Sequence, residues 1–533
     1  LIEGDWQRYL DTVERRIELE DKEAARYTTA LVGRAVARAR LAGEEDLAAR
    51  VQEELRGALA GMPYALVEAN IKSQKGSAEL LSRALVLGSL ESSLQPILDG
   101  SGGAISQDIA STLLGSHFTL YHFIPLQESI RAVLQAYIDA NHVDKPNIWA
   151  ERDFAIDAGQ GQGPVVIAVW DSGVDTAIFA GGGQLWTNAR EVPDNGKDDD
   201  GNGFVDDVHG IAFSLHSDKE TSLLYPIGPM DYDVAQLRSW LKGLTDMRSA
   251  VDSEEAAALK RYVSALEQER VKPFLESVNL YGNYAHGTHV AGIAAAGNPY
   301  VRLLVARITF DYRMLPEEPT IEQAEKDARA LVESIEYFKR NGVRAVNMSW
   351  GGSLRSIENA LEANNAGGAP EERKVLARRI YEIGDRAFRD AIRKAPEILF
   401  ITSAGNSDND VVFEEFYPSS YDYPNILSVG AVDQAGEETS FTSFGKVDVY
   451  ANGFEVASFV PGGTLLKLSG TSMSSPQVLN LVAKLLALEP QLDTAELRDL
   501  IIGGADEKSA GNRKVRLLNP QRSLALLESR QQT

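Results

Sequence analysis

The sequence predicts an α/β fold, a doubly wound and mostly parallel sheet flanked by helices, preceded by an N-terminal helical domain. Two observations carry this. From about residue 165 onward, short continuous apolar runs alternate with helical stretches: 165–170, 303–306, 343–348, 398–402 and 426–432. A strand that is apolar at every position needs cover on both faces, and that is the condition of a parallel sheet between helix layers. Residues 1–140, by contrast, repeat apolar residues at helical spacing.

In chain order, Trp6, Leu10, Val13 and Ile17 form one helical stripe, and Leu47, Val51, Leu55 and Leu59 another. Gly61-Met62-Pro63 and the glycines of 100–103 break the pattern, as helix-ending residues do. The turn-like Asp144-Lys145-Pro146 and the glycines of Ala158-Gly159-Gln160-Gly161 then mark a linker. The expected domains are 1–145, helical, and 146–525, carrying the sheet, with a C-terminal tail at 526–533. Two helical stretches interrupt the strand pattern and are expected to be insertions. The first, 212–282, has apolar spacing at Val234, Leu237, Leu241 and Leu244; the second, 353–395, is heavily charged.

Composition excludes several classes of function. With 53 Lys and Arg against 77 Asp and Glu, the formal charge is −24, and no basic patch is available for nucleic acid or anionic lipid. The absence of cysteine removes disulfides, thiolate catalysis and Cys-ligated metals. No run of 18 apolar residues occurs, so no membrane-spanning helix is expected. Leu1 is followed by Glu3 and Asp5 rather than by basic and apolar regions, so any signal peptide is expected to have been cut off or left out.

Three short segments carry chemistry. An acid, Asp171, ends the first apolar strand in Asp171-Ser172-Gly173-Val174-Asp175, and the C-terminal edge of a parallel strand is where α/β sites lie. His286 and His289 lie in His286-Gly287-Thr288-His289-Val290-Ala291-Gly292, read as the head of a small-residue helix. Their spacing also fits a metal pair, but the segment has no Glu to act as base; the flanking glycine lets a general base approach closely. Ser472 lies in Gly470-Thr471-Ser472-Met473-Ser474-Ser475-Pro476 at the mouth of a helix, whose positive end favours a developing oxyanion.

Together, Asp171, His286 and Ser472, in that chain order and within those segments, resemble the catalytic set of the subtilisin-like serine peptidases, the subtilases. The resemblance covers roughly residues 146–525. It implies a subtilisin-like sheet, a serine endopeptidase acting on protein or peptide substrates, and a secreted or extracytoplasmic location. It assigns the oxyanion-hole amide to Asn406, in Thr402-Ser403-Ala404-Gly405-Asn406, and substrate binding to Ser349, Trp350 and Gly351 together with Ala404 and Gly405. Trp350 stands where an aliphatic residue is more usual, Gln477 replaces a histidine and Leu479-Asn480 replaces Ala-Gly. The separation of 115 positions from Asp171 to His286 exceeds the spacing of compact members. An alternative is a silent or latent subtilase fold used for protein binding. By position, residues 1–145 are read as an atypical propeptide and intramolecular inhibitor, or as a separate binding module.

The sharpest acidic cluster is Asp198-Asp199-Asp200-Gly201-Asn202-Gly203-Phe204-Val205-Asp206-Asp207. Asp198, Asp200, Asn202, the Phe204 carbonyl and Asp206 resemble the first half of a calcium-binding loop, although His209 stands where the bidentate Glu would be. A solvated hairpin turn is the competing reading. No organic cofactor is expected.

Overall fold

In the computed structural model, residues 3–43, 45–103, 105–249 and 251–531 are described. They divide into two compact units, the first made of residues 1–145, 231–278 and 509–514 and the second of 146–230, 279–508 and 515–533.

The first unit is helical. Its N-terminal part comprises α1 (Trp6–Glu18), α2 (Glu23–Thr28), α3 (Leu31–Ala42), α4 (Leu47–Leu59), α5 (Tyr64–Leu80), α6 (Arg83–Ser93), α7 (Gln95–Ser101), α8 (Gln107–Phe118) and α9 (Gln127–Asn141). Val51, Leu55 and Leu59 recur every fourth residue along one face of α4 and meet Val36, Val67, Ile71, Ile130 and Leu134 in a shared core. α4 ends just before Gly61-Met62-Pro63, and α7 ends at Gly102, whose φ of +62° is the left-handed conformation of a helix C-terminus.

The same unit takes in α11 (Val234–Arg248), α12 (Glu254–Ser264) and the first turns of α13 (Val271–Ala295). Part of the stretch 212–282, expected as an insertion, thus groups with the N-terminal helices, and the physical reason is close packing. A Cβ on Gly76 would lie 1.7 Å from the Met247 carbonyl oxygen, and one on Gly88 would lie 2.6 Å from Val271 Cβ, so two glycines let α5 and α6 press against the later segment. Buried Lys75 bonds Asp252 at 3.2 Å, and Gln268 donates to Glu91 at 2.8 Å. Tyr232, Trp240, Tyr262 and Phe274 supply an aromatic cluster, with Trp240 and Tyr262 4.4 Å apart.

The second unit is built on a sheet. Its strands are β1 (Val165–Asp171), β2 (Gly210–Phe213), β3 (Lys219–Glu220), β4 (Val301–Ile308), β5 (Ala345–Met348), β6 (Leu399–Ser403), β7 (Ile426–Val432), β8 (Val449–Asn452), β11 (Asp506–Ala510) and β12 (Arg513–Leu517), while β9 (Val456–Val460) and β10 (Thr464–Leu468) form a separate hairpin. The order is β11-β12-β8-β7-β6-β5-β1-β4-β2-β3. β1 is central and pairs in parallel with β4, Val165 opposite Val301 through to Asp171 opposite Arg307. Chain order reverses across β1, since β4 lies on one side and β5, β6 and β7 on the other. That reversal opens the crevice in which open α/β sheets place their chemistry.

Helices cover both faces. α17 (Thr471–Leu488) packs across β1, β5, β6, β7 and β8 and is buried over almost its whole length. Toward the other face, α14 (Ile321–Arg340) and α16 (Pro370–Arg393) contribute Phe338, Phe388 and Ile392 to a core with Trp170, Met348 and Phe400. The heavily charged stretch 353–395 therefore has a buried face. Despite its charge, α16 turns Phe388 and Ile392 into the core and forms part of the cover. The expected tail at 526–533 is likewise largely helix: α19 (Pro520–Gln531) runs through it and buries Leu527. Among the described residues, no helix is long and apolar enough to cross a membrane.

The linker belongs to the second unit from Pro146 onward. Ile148 N–H donates to the Gln434 carbonyl and Trp149 Nε1 to that of Asp433, both at 3.0 Å, and buried Lys484 of α17 bonds Asp153 at 2.8 Å.

Candidate active site

Asp171 is the last residue of β1, buried, and its Oδ1 accepts from Ser172 N–H at 2.7 Å. His286 Nδ1 meets that same oxygen at 2.6 Å. A carboxylate acceptor fixes the proton on Nδ1, so Nε2 carries the lone pair of the neutral ring. Burial pushes the imidazole pKa down, but the adjacent Asp171 charge and its hydrogen bond outweigh that, leaving it above the ordinary 6.5.

His286 does not stand at the head of its helix, as the sequence suggests, but well inside the 25-residue α13. Nothing from Val271 to Ala295 breaks the helix; Gly282 and Gly287 are tolerated within it. The helix around His286 is held against the segment that follows β1 by three hydrogen bonds. Ser172 Oγ donates to the Asn283 carbonyl at 2.6 Å and accepts from Gly287 N–H at 3.1 Å, while Asp175 N–H donates to Thr288 Oγ1 at 3.0 Å. Gly287 is needed for the approach itself, because a Cβ there would lie 2.3 Å from the Gly173 carbonyl oxygen.

His289 plays another part. Fully buried, its Nε2 donates to the Leu466 carbonyl at 2.9 Å, and burial pushes its pKa down to about 4. It anchors the β9–β10 hairpin as a neutral ring rather than pairing with His286 on a metal.

Ser472 is the second residue of α17. Its Oγ is 3.4 Å from the Ser349 carbonyl oxygen, and its own carbonyl accepts from Ser349 Oγ at 3.1 Å. Ser349 Oγ also bonds Asn347 Nδ2 at 2.9 Å and Ser475 Oγ at 3.0 Å. Asn406 is oriented from the same helix start, its Oδ1 accepting from Thr471 N–H at 2.9 Å and Thr471 Oγ1 at 3.0 Å. That leaves the Nδ2 amide beside Gly470, where a Cβ would lie 3.5 Å away. Gly405, at φ +106°, is in the left-handed region that favours glycine, and its N–H donates to Thr471 Oγ1 at 3.1 Å. Ala404 is fully buried, its N–H donating to the Val429 carbonyl.

Trp350 packs its indole against the core. Its Nε1 donates to the Trp170 carbonyl at 2.7 Å and the ring stacks on Phe388, centroids 5.6 Å apart. The unusual residue is explained by the aromatic core of Trp170, Phe338 and Phe388 that receives it.

The acidic loop is only partly as expected. The carboxylates of Asp198, Asp200 and Glu191 lie within 4.8 Å of one another, an arrangement that could hold a metal ion. Glu191 lies outside the segment that sequence reasoning singled out. It is buried; its Oε1 accepts from Asp199 and Asp200 N–H at 3.0 and 3.1 Å, whereas its Oε2 is buried without a partner. Burial, with Asp207 and Asp200 nearby, raises its pKa. Asn202 Oδ1 is taken by Phe204 N–H at 2.8 Å, and Phe204 places its ring in the core. Asp206 lies outside that group of three: both its oxygens accept backbone N–H groups, of Asn195 and Gly196 at 3.0 and 2.9 Å, much as the oxygens of Asp198 accept from Asn202 and Gly203 N–H at 3.0 and 2.8 Å. Asp207 points inward instead, bonded to Asn188, Asn202 and Tyr337.

With this geometry in hand, comparison with known proteins identifies the class. The model of the subtilase family matches residues 162–518, and the chain belongs to that family. It is similar to Subtilisin DY of Bacillus licheniformis, 32% identical over 229 residues, which is 42% of this chain and 71% of that protein. A thermophilic serine proteinase of Bacillus sp. (strain AK1) is 31% identical over 42% of this chain and 47% of its own length. Among solved structures, a cold adapted subtilisin-like serine proteinase aligns with 69% of this chain and 94% of its own at 17% identity and a TM-score of 0.39. The fold is subtilisin-like, with a helical region ahead of it, and the curated relatives are serine peptidases.

Proposed function

We propose that this chain is a serine endopeptidase hydrolysing peptide bonds in proteins. Ser472 Oγ attacks the scissile carbonyl, His286 Nε2 takes the proton and returns it to the leaving amine, and Asp171 holds the ring in its tautomer and stabilises the imidazolium. The Asn406 amide and the Ser472 backbone N–H bind the oxyanion, at the positive end of α17. Substrate backbone pairs with residues 349–351 and 404–405. The reading is carried by the 2.6 Å contact between His286 and Asp171 in a family whose members are serine peptidases. Ser472→Ala is expected to abolish peptide hydrolysis, by about a million-fold in kcat, a magnitude established on a subtilisin. It should also abolish labelling by a fluorophosphonate. Retained turnover would remove Ser472 from the mechanism.

The acidic loop fits a calcium ion. Its donors are hard oxygens: one carboxylate oxygen each of Glu191, Asp198 and Asp200 lie within 4.8 Å of one another, and Glu191 Oε2 is buried without a partner. Glu191, Asp198 and Asp200 would hold the ion, which would cross-link the loop through oxygen ligands. Residues 1–145 are proposed to inhibit in cis, a reading supported by their own core and their place before β1. The proposed location is extracytoplasmic, as the Cell wall-associated protease of Bacillus subtilis (strain 168), 27% identical over 234 residues, is by its name.

A further inference from the structure

Ser472 and His286 lie on two helices, α17 and α13, and the C-terminal parts of those helices are joined by side chains that the reaction does not use. Helix α13 ends at Ala295, and its last carbonyls have no partner within the helix. Asn480 of α17 supplies two donors there, its Nδ2 bonding the Ala294 carbonyl at 3.0 Å and that of Ala296 at 2.7 Å. Gln184 Nε2 donates to the Ala295 carbonyl at 2.8 Å, and Ile156 N–H to that of Gly297 at 3.0 Å. Asn480 is buried, and it is one of the positions at which α17 departs from the family pattern.

One turn further along α17, Lys484 reaches the same place. Its side chain is 1% exposed, and a Cβ on Gly297, the left-handed residue at φ +62° two positions past α13, would lie 3.8 Å from its Nζ. An ammonium there faces the negative end of α13. It is paired at 2.8 Å with Asp153, whose side chain is 62% exposed, and it stands 5.1 Å from the centre of the Phe154 ring. The segment leading to β1 therefore closes over the joint. Asp153 holds α17, Ile156 holds the turn after α13, and Gln162 N–H donates to the Ala487 carbonyl near the end of α17 at 2.7 Å.

Asn480 comes eight positions after Ser472, and Ala294 eight positions after His286. At about 1.5 Å per residue the joint lies about 12 Å along its helix from each of the two, so a tilt of about 5° there shifts them by about 1 Å. A misplacement of about 1 Å costs about a hundredfold in rate. We infer that Asn480, locked by the pair of Lys484 and Asp153, is a positioning residue: it sets the distance between Ser472 and His286 through the ends of the helices that carry them. This inference rests on the serine endopeptidase reading above.

The test uses the full chain and a peptide substrate, with active sites counted by fluorophosphonate labelling. A rate per labelled site is independent of the fraction folded, so a merely structural role would leave it unmoved. Asn480→Ala should lower kcat per labelled site by about ten- to a hundredfold with KM held within about twofold, because the loss falls on the transition state. Asp153→Ala, at the surface, serves where Asn480→Ala does not fold, and should lower kcat per labelled site by about tenfold. Asp153→Glu keeps the carboxylate and should restore most of that loss. Unchanged kcat per labelled site, a rise in KM at constant kcat, or an Asp153→Glu variant no better than Asp153→Ala would overturn the inference. Labelled wild type with unmoved variant rates removes the positioning role alone; wild type that takes no label removes the peptidase reading and this inference with it.

Discussion

In the proposed mechanism His286 is the residue whose charge decides when the site can work. A general base must be neutral, and the His286 pKa lies above the ordinary 6.5 because the Asp171 attraction outweighs burial. The acidic limb of kcat/KM is therefore expected above that value, with activity falling as pH falls through it. The sign for stability is opposite. A raised imidazole pKa stabilises the fold fully below the unfolded value, and this contribution is lost as pH rises through the folded pKa. Asp171→Asn should move the limb below 6.5, since burial then acts alone, and lower kcat by about ten-thousand-fold. Initial rates across pH check both, and an unmoved limb would detach Asp171 from His286. Glu191 is testable at the same scale. Calcium should raise the melting temperature of wild type, by about 2.7 kcal/mol of stability at a hundredfold excess over Kd. Glu191→Gln should remove that gain, while Asp206→Asn, outside the group of three, should keep it. Melting curves that ignore both calcium and chelator would leave the loop a hydrogen-bonded turn.

At the scale of elements, the clamp between β1 and α13 depends on absent side chains. Gly287→Ala puts a Cβ 2.3 Å from the Gly173 carbonyl, so one backbone must move. The expected cost is about 1–3 kcal/mol in urea unfolding, with a fall in kcat as His286 leaves Asp171. Unchanged kinetics would show the ring position insensitive to this approach. Strands and motifs were legible because their signals are local: β7 falls on an apolar run, and Asp171, His286 and Ser472 each lie in a short distinctive segment. What sequence missed depends on distant partners. The charge of α16 concealed Phe388 and Ile392, which matter only once Trp170 and Met348 are opposite them. Glu191 reaches the acidic loop through a fold of the chain, which its position outside the acidic run does not announce.

For the whole molecule, the two compact units do not coincide with a cut of the chain at one point. Residues 231–278 leave the sheet unit and join the N-terminal helices through Gly76, Gly88, Lys75 and Glu91. The exposed stretch open to cleavage is short, with Val143 and Asp144 at the surface and Ile148 and Trp149 already bonded into the second unit. A protease site placed at Val143 should be cut without releasing residues 1–142, which are expected to co-elute with the remainder in native gel filtration and to separate in denaturant. Dissociation at micromolar concentration would show the packing too weak to hold, and Gly76→Leu, whose side chain meets the Met247 carbonyl, should promote it.

The same discontinuity sets an order of events during synthesis. Helices α1 to α9 leave the ribosome before the sheet, yet the surfaces around Gly76 and Gly88 wait for Met247 and Val271, 171 and 183 residues later, or about 10–35 s at ordinary elongation rates. In that interval the early helices have a core but not their closing partner, while β1 and the acidic loop are being made between. The N-terminal unit thus finishes folding only after the first strand of the sheet has emerged, so assembly of the two units is interleaved rather than sequential.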